Sequence, residues 1–235
     1  MRQAVYTLLF ILALLFSGYS HALCADSTET DITKEYRLLT ANKLSISGVF
    51  YLELVQGDSY KLEVLTKPSV MEAFKFRTSR DRLTITPGRC KNDLISYRLT
   101  VIHLDEMDLQ GSFTINTPLP LETENLELDI SGDVRGHIRA KTSLIDISTT
   151  GDVLLEVSGE TDHLQLAVLG NGSIDAARLK ARTANLNIWG NGIETVNVWE
   201  FLKVLARGST LVQYYGHPLL DQTIRNNAYI RALDE

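Results

Sequence analysis

The sequence predicts an all-β fold: a right-handed parallel β-helix, or solenoid, with coils of about 19 residues, forming a single domain. Three observations point to it. Gly132, Gly151, Gly170, Gly190 and Gly208 sit in short polar stretches separated by 19, 19, 20 and 18 residues. Each follows a run in which apolar and polar residues alternate, and a second such run comes after it. Alternation at period two marks a strand with one buried and one wet face, whereas a TPR or ankyrin array would show longer repeats with apolar residues at helical spacing.

Taken in chain order, the first element is a secretory signal peptide over residues 1–22. Arg2 supplies its cation, Ala4 to Phe16 its apolar run, and Ser20-His21-Ala22 its small-x-small cleavage site. The apolar run is too short to span a bilayer comfortably. Cleavage after Ala25 is the second choice. Lipidation at Cys24 is disfavoured because bulky Leu23 precedes it, where a small residue is needed. Residues 23–38 read as a loose polar lead-in, and the β-helix domain is assigned to 39–233.

Within that domain, SISGVFYLELVQGDSYKLEVL alternates around a Gln-Gly-Asp turn, PSVMEAFKF gives a short helical turn after Pro68, and DRLTITPG closes with a strand. These pieces are expected to begin the coil and cover its first edge. The inward positions then stack as Leu126, Leu128 and Ile130; Ile145 and Ile147; Leu164, Leu166 and Val168; Leu186 and Ile188; and Leu202 and Val204. Second runs follow at 134–138, 153–157, 174–179, 196–198 and 211–215, and PLLDQTIRNNAYIRALDE supplies a final rung. At a strand spacing of about 4.8 Å, about ten rungs over 40–233 would make a rod of roughly 45 to 50 Å. The five glycines are assigned to coil corners, where a positive φ suits a residue without Cβ.

A net charge of −6 becomes about −7 once Arg2 is removed, and no basic run or stripe is present, so nucleic acid is excluded as an electrostatic partner. Past the signal segment, no apolar run reaches membrane-spanning length. Cys24 and Cys90 are the only cysteines. With cleavage after Ala22, both enter an oxidising compartment and can bridge the N-terminal segment to the domain; with later cleavage, Cys90 is a lone thiol.

Catalytic frames are missing. His103, His137, His163 and His217 are scattered, no Gly-x-Ser-x-Gly elbow occurs, and GNGSID and GNGIET lack the last glycine of a dinucleotide loop. Neither a metal nor a cofactor is expected. Asp129 and Asp146 have matching flanks that would set two carboxylates on adjacent rungs. That pair reads first as a solvated acidic face and second as a calcium or glycoside-cleaving site. Asn171-Gly172-Ser173 matches a glycosylation sequon, relevant only in a host with that machinery. Inward Ile188 and Val198 turn Trp189 and Trp199 outward, which makes these two indoles the candidate ligand-binding residues.

ISGVFYLELVQGD, RLTITPG, the SGD, GNGSID and GNGIET turns and STLVQYYGHP, in that order, resemble the head GIN domain family of putative auto-transporter adhesins, formerly a domain of unknown function. The resemblance covers nearly all of the chain after the signal. It implies an exported parallel β-helix and supplies no catalytic residues. Relatives carry GSGD at several turns where this chain has GNGS and GNGI, which removes the basis for a shared turn-bound cation. The expected role is a non-enzymatic exported scaffold of the cell envelope, in the periplasm or at the cell surface, that binds an envelope protein or glycan. A polysaccharide-cleaving enzyme on a β-helix and a structural or signalling module acting through a protein partner are the alternatives.

Overall fold

A computed structural model of the chain describes Cys24 and residues 28–233. The expected signal peptide therefore lies outside the described residues. Those residues form one 11-stranded sheet and one short helix. In chain order the elements are β1 (Ile32–Arg37), β2 (Lys43–Gln56), β3 (Lys61–Thr66), α1 (Pro68–Ala73), β4 (Lys75–Ser79), β5 (Arg82–Thr86), β6 (Ile95–Val101), β7 (Glu106–Asn116), β8 (Leu121–Glu122), β9 (Asn125–Tyr215), β10 (Leu219–Asn226) and β11 (Tyr229–Ala232).

The chain returns along its own path in parallel register. β2 lies beside β7 from Lys43↔Glu106 to Glu53↔Asn116, and β7 lies beside the start of β9 from Glu106↔Glu127 to Asn116↔His137. At the far end β10 pairs with β9 from Leu219↔Phe201 to Asn226↔Gly208, and β11 pairs with it from Tyr229↔Leu211 to Ala232↔Tyr214. β9 runs for 91 residues without a break in extended pairing. Laid straight it would reach roughly 300 Å, so it must fold back on itself.

The glycines record how it does so. A Cβ on Gly151 would fall 2.4 Å from the Gly132 carbonyl oxygen, one on Gly170 2.4 Å from that of Gly151, one on Gly190 1.8 Å from that of Gly170, and one on Gly208 2.0 Å from that of Gly190. The column extends backward through Gly111 and Gly48, and forward to Asn226, which pairs with Gly208. Asn226 has φ +63°, and asparagine is the side chain that tolerates this region best. Seven glycines and Asn226 thus mark eight passes of the chain. The expected figure of about ten exceeds this column because residues 57–105 add one interrupted parallel course, β5 and β6 beside β2, and otherwise form cap strands.

The same column adds a second cause for the glycines beside the assigned positive φ. The strand runs through them with no interruption of pairing. Gly132, Gly151, Gly170 and Gly208 have φ between +110° and +136°, but Gly190 lies outside the left-handed window. What all five share is the carbonyl of the previous pass where a Cβ would stand. Positive φ holds as expected at four of them, and close backbone approach requires glycine at all five, Gly190 included.

The core is built from the inward columns. With a 19-residue shift from Gly132 to Gly151, Ile145, Ile147 and Thr149 lie over Leu126, Leu128 and Ile130; the following shifts bring Leu164, Leu166 and Val168, then Ala184, Leu186 and Ile188, then Leu202, Val204 and Ala206. All are buried. Each buried Leu, Ile or Val contributes about 1.5–3 kcal/mol relative to exposure, so repetition along the columns supplies most of the driving force.

One end of the stack is capped. β6 runs parallel to β2 and carries β3 and then β1 antiparallel beyond it, while β5 joins β2 in parallel and β4 folds back on β5. α1 begins at Pro68, whose missing N–H costs nothing at a helix start, and it buries Val70, Met71 and Ala73. Phe50 stacks on Phe113 of the next pass at 4.6 Å, and Tyr97, Phe74, Phe76 and Tyr36 continue the aromatic packing outward. Residues 32–37, expected as part of a loose lead-in, instead form β1 and are held by six registered pairs with β3.

Candidate functional site

Alternation along β9 sets the outward residues, and Trp199 is the most exposed indole. Val198 before it is fully buried, while Trp199 itself is 63% exposed. It lines an open depression of about 630 Å³ with Lys141, Lys180 and Arg182 on the basic side and Glu160 and Asp162 on the acidic side. Arg182 is held in place: Nε donates to Asp162 Oδ1 at 3.3 Å, Nη1 to Glu200 Oε2 at 3.0 Å, and Nη2 lies 3.1 Å from His163 Nε2. Lys141 and Lys180 form no ion pair among the described residues. A bridge between Thr142 and Thr161 hydroxyls, 3.1 Å long, forms part of the groove. The arrangement offers a flat apolar ring, hydroxyls and two ammonium groups on a rigid surface.

Trp189 is different. It is 45% exposed, its Nε1 donates to Asn187 Oδ1 at 2.6 Å, and the Arg207 guanidinium lies over its ring, 4.5 Å from the centroid. A cation already occupies one face of this indole. Trp189 and Trp199 do not share the groove.

Glu194 was not singled out by sequence. It is a carboxyl group only 1% exposed, in the position that Ile174 occupies one pass earlier and Val212 one pass later. Its Oε2 accepts a hydrogen bond from the Thr210 hydroxyl, which also lies 3.4 Å from the Gly192 carbonyl oxygen. Burial pushes its carboxyl up to about 7, while the Thr210 hydrogen bond acts in the opposite direction. Superposing GNGIET on GNGSID places Glu194 on Ile174, which was the available signal.

The acidic pair is displaced from its expected register. Equal flanks suggested a 17-residue shift, but Thr149 and Thr150 lengthen this pass and the glycine column imposes 19. Asp146 therefore lies level with Glu127, and Ser148 with Asp129. Burial, and secondarily the Asp129 charge, hold the Asp146 carboxyl above its ordinary range. Asp108 lies beside Asp129 and Glu106 beside Glu127, but no group of three carboxylates converges there among the described residues, whereas calcium takes six or more oxygens.

Cys24 and Cys90 form a disulfide with Cα atoms 5.4 Å apart, and the Cys24 amide donates to Asp93 Oδ2 at 3.0 Å. These two sulfurs and Asp93 are the one group of three metal-type ligands among the described residues, and the bridge removes both thiolates. Three of the four histidines have separate surroundings: His103 lies 2.6 Å from Asp105, His137 3.0 Å from Ser158 and His163 2.8 Å from Thr183. At the sequon, Asn171 is engaged on both sides, donating to Asp152 and accepting from Asn191.

Among known proteins, no curated relative matches the chain. Solved structures do. A putative adhesin from Bacteroides fragilis NCTC 9343 superposes with a TM-score of 0.80 at 17% identity, covering 88% of this chain and 98% of its own. A putative lipid binding protein from Parabacteroides distasonis ATCC 8503 superposes with a TM-score of 0.72 at 19% identity, covering 89% and 99%. At such identities the likeness shows a shared fold. The family model described as putative auto-transporter adhesin, head GIN domain, matches residues 41–218, and the chain belongs to that family.

Proposed function

We propose that this chain is a non-enzymatic, exported envelope scaffold whose passes wind as a right-handed parallel β-helix and whose Trp199 groove binds an acidic glycan. The observation that carries the reading is the juxtaposition of a 63%-exposed indole with Lys141 and Lys180, neither of them in an ion pair among the described residues. An aromatic face suits the apolar side of a sugar ring, and the ammonium groups suit its carboxylate or sulfate. Arg182, pinned by Asp162 and Glu200, stiffens one wall so that little order is lost on binding. Trp189 is a secondary contact, limited to the indole face that Arg207 leaves open.

Export fits the bridged Cys24 and Cys90, since such a bond persists in an oxidising compartment and is compatible with cleavage after Ala22, which keeps Cys24 in the mature chain. A sulfur joined to Cys90 also cannot carry a lipid thioether. The lipid-binding description of the Parabacteroides neighbour is not carried over, because the inward columns are filled by side chains. Incubation with a panel of uronate-containing and sulfated oligosaccharides tests the function. Retention without new reducing ends or unsaturated products supports it, and product formation would establish the enzymatic alternative.

A further inference from the structure

The two ends of the stack are finished differently. Cap strands and aromatic rings cover β2, whereas β10 and β11 pair on one side only, with β9, among the described residues. The register carries the core columns into this last pass: Leu220 lies over Leu202, Gln222 over Val204 and Ile224 over Ala206. Leu202, Val204 and Ala206 are buried, but Leu220, Ile224, Ala228 and Ile230 are only partly so, and Leu219 and Tyr229 at the rim are 72% and 61% exposed. A row of unpaired backbone groups beside half-covered apolar side chains is a template for another strand.

The outward residues of β10 say which strand. Antiparallel pairing sets side chains of the same face opposite one another, so a two-fold self-pairing of β10 must be centred on a residue. Centred on Thr223, it places Asp221 opposite Arg225 of a second copy and Arg225 opposite that copy's Asp221. Centring on Gln222 or Ile224 matches neither charge with its opposite. Asp221 and Arg225 are exposed and form no ion pair among the described residues. On the inward face the same pairing sets Gln222 against Ile224 and Leu220 against Asn226, joining the two cores.

The geometry points to this end as a homodimer interface, in which β10 of two copies pairs antiparallel about Thr223 and two stacks join into one. The contact is isologous and closes after two copies, so it ends growth at the open edge. It would also place two Trp199 grooves on one rigid body, a bivalent arrangement that raises avidity for a repeating polymer.

Sedimentation velocity over a wide concentration range tests the interface. The wild type should pass from monomer to dimer as concentration rises. Asp221→Arg or Arg225→Asp alone sets like charges opposite each other twice and should weaken the dimer about tenfold or more, while the double exchange should restore it. Thr223→Cys should form an interchain disulfide on oxidation, and Lys203→Cys, one pass inside, should not. Circular dichroism of each variant confirms that the fold is kept. A monomer at every concentration, or a dimer indifferent to both charge reversals, overturns the inference.

Discussion

Replacing Glu194 by Gln should change how stability depends on pH, and the structure gives both sign and size. An ordinary glutamate titrates near 4.5, and burial between Ile174 and Val212 raises Glu194 to about 7. That displacement corresponds to about 3 kcal/mol at 1.36 kcal/mol per pH unit. The folded value is the higher one, so the contribution is fully present below about pH 4.5, where both states hold the proton. As pH rises toward 7 the unfolded chain releases it first, stability falls, and above 7 the loss levels off. Gln keeps the shape and a partner for Thr210 without the charge. Urea unfolding of wild type and Glu194→Gln at pH 4.5, 6, 7 and 8.5 isolates this site, since other carboxylates cancel in the difference. The variant should match wild type within about 1 kcal/mol at pH 4.5 and exceed it by about 2–3 kcal/mol at pH 8.5. A difference that stays flat across this range would refute the reasoning.

The remaining predictions concern the backbone and the bridge. Gly190→Ala brings a Cβ to 1.8 Å from the Gly170 carbonyl oxygen, so two adjacent passes must part; thermal unfolding should show a loss above about 2 kcal/mol, and an unchanged midpoint would count against the column. Cys24→Ser or Cys90→Ser opens a loop of 66 residues and should lower stability by about 4 kcal/mol in urea, with little change on adding reductant to the variant. If wild type is equally unaffected by reductant, the bridge is not formed in the mature protein.

Strand content and the 19-residue period were legible because alternation reports burial directly, and every inward residue named from 126 to 204 is in the core. The glycine column was read only from Gly132, since 63 residues separate Gly48 from Gly111 and no fixed period bridges them. β1 was missed because ITKEYR lies beside β3 with most of its side chains exposed, leaving little alternation to detect. Trp189 and Trp199 could be turned outward from their neighbours alone. That Arg207 covers one and not the other depends on the 18-residue shift of a later pass, which places residue 207 beside residue 189. Glu194 escaped for a similar reason: its burial comes from the passes above and below it.

Isothermal titration calorimetry of an oligouronate into wild type, Trp199→Ala and Trp189→Ala tests the Trp199 groove most directly. Wild type should bind with a salt-sensitive affinity, Trp199→Ala should lose about tenfold or more, and Trp189→Ala should change by no more than about twofold. Equal binding by all three proteins, or no binding heat with wild type across acidic oligosaccharides, would contradict the account.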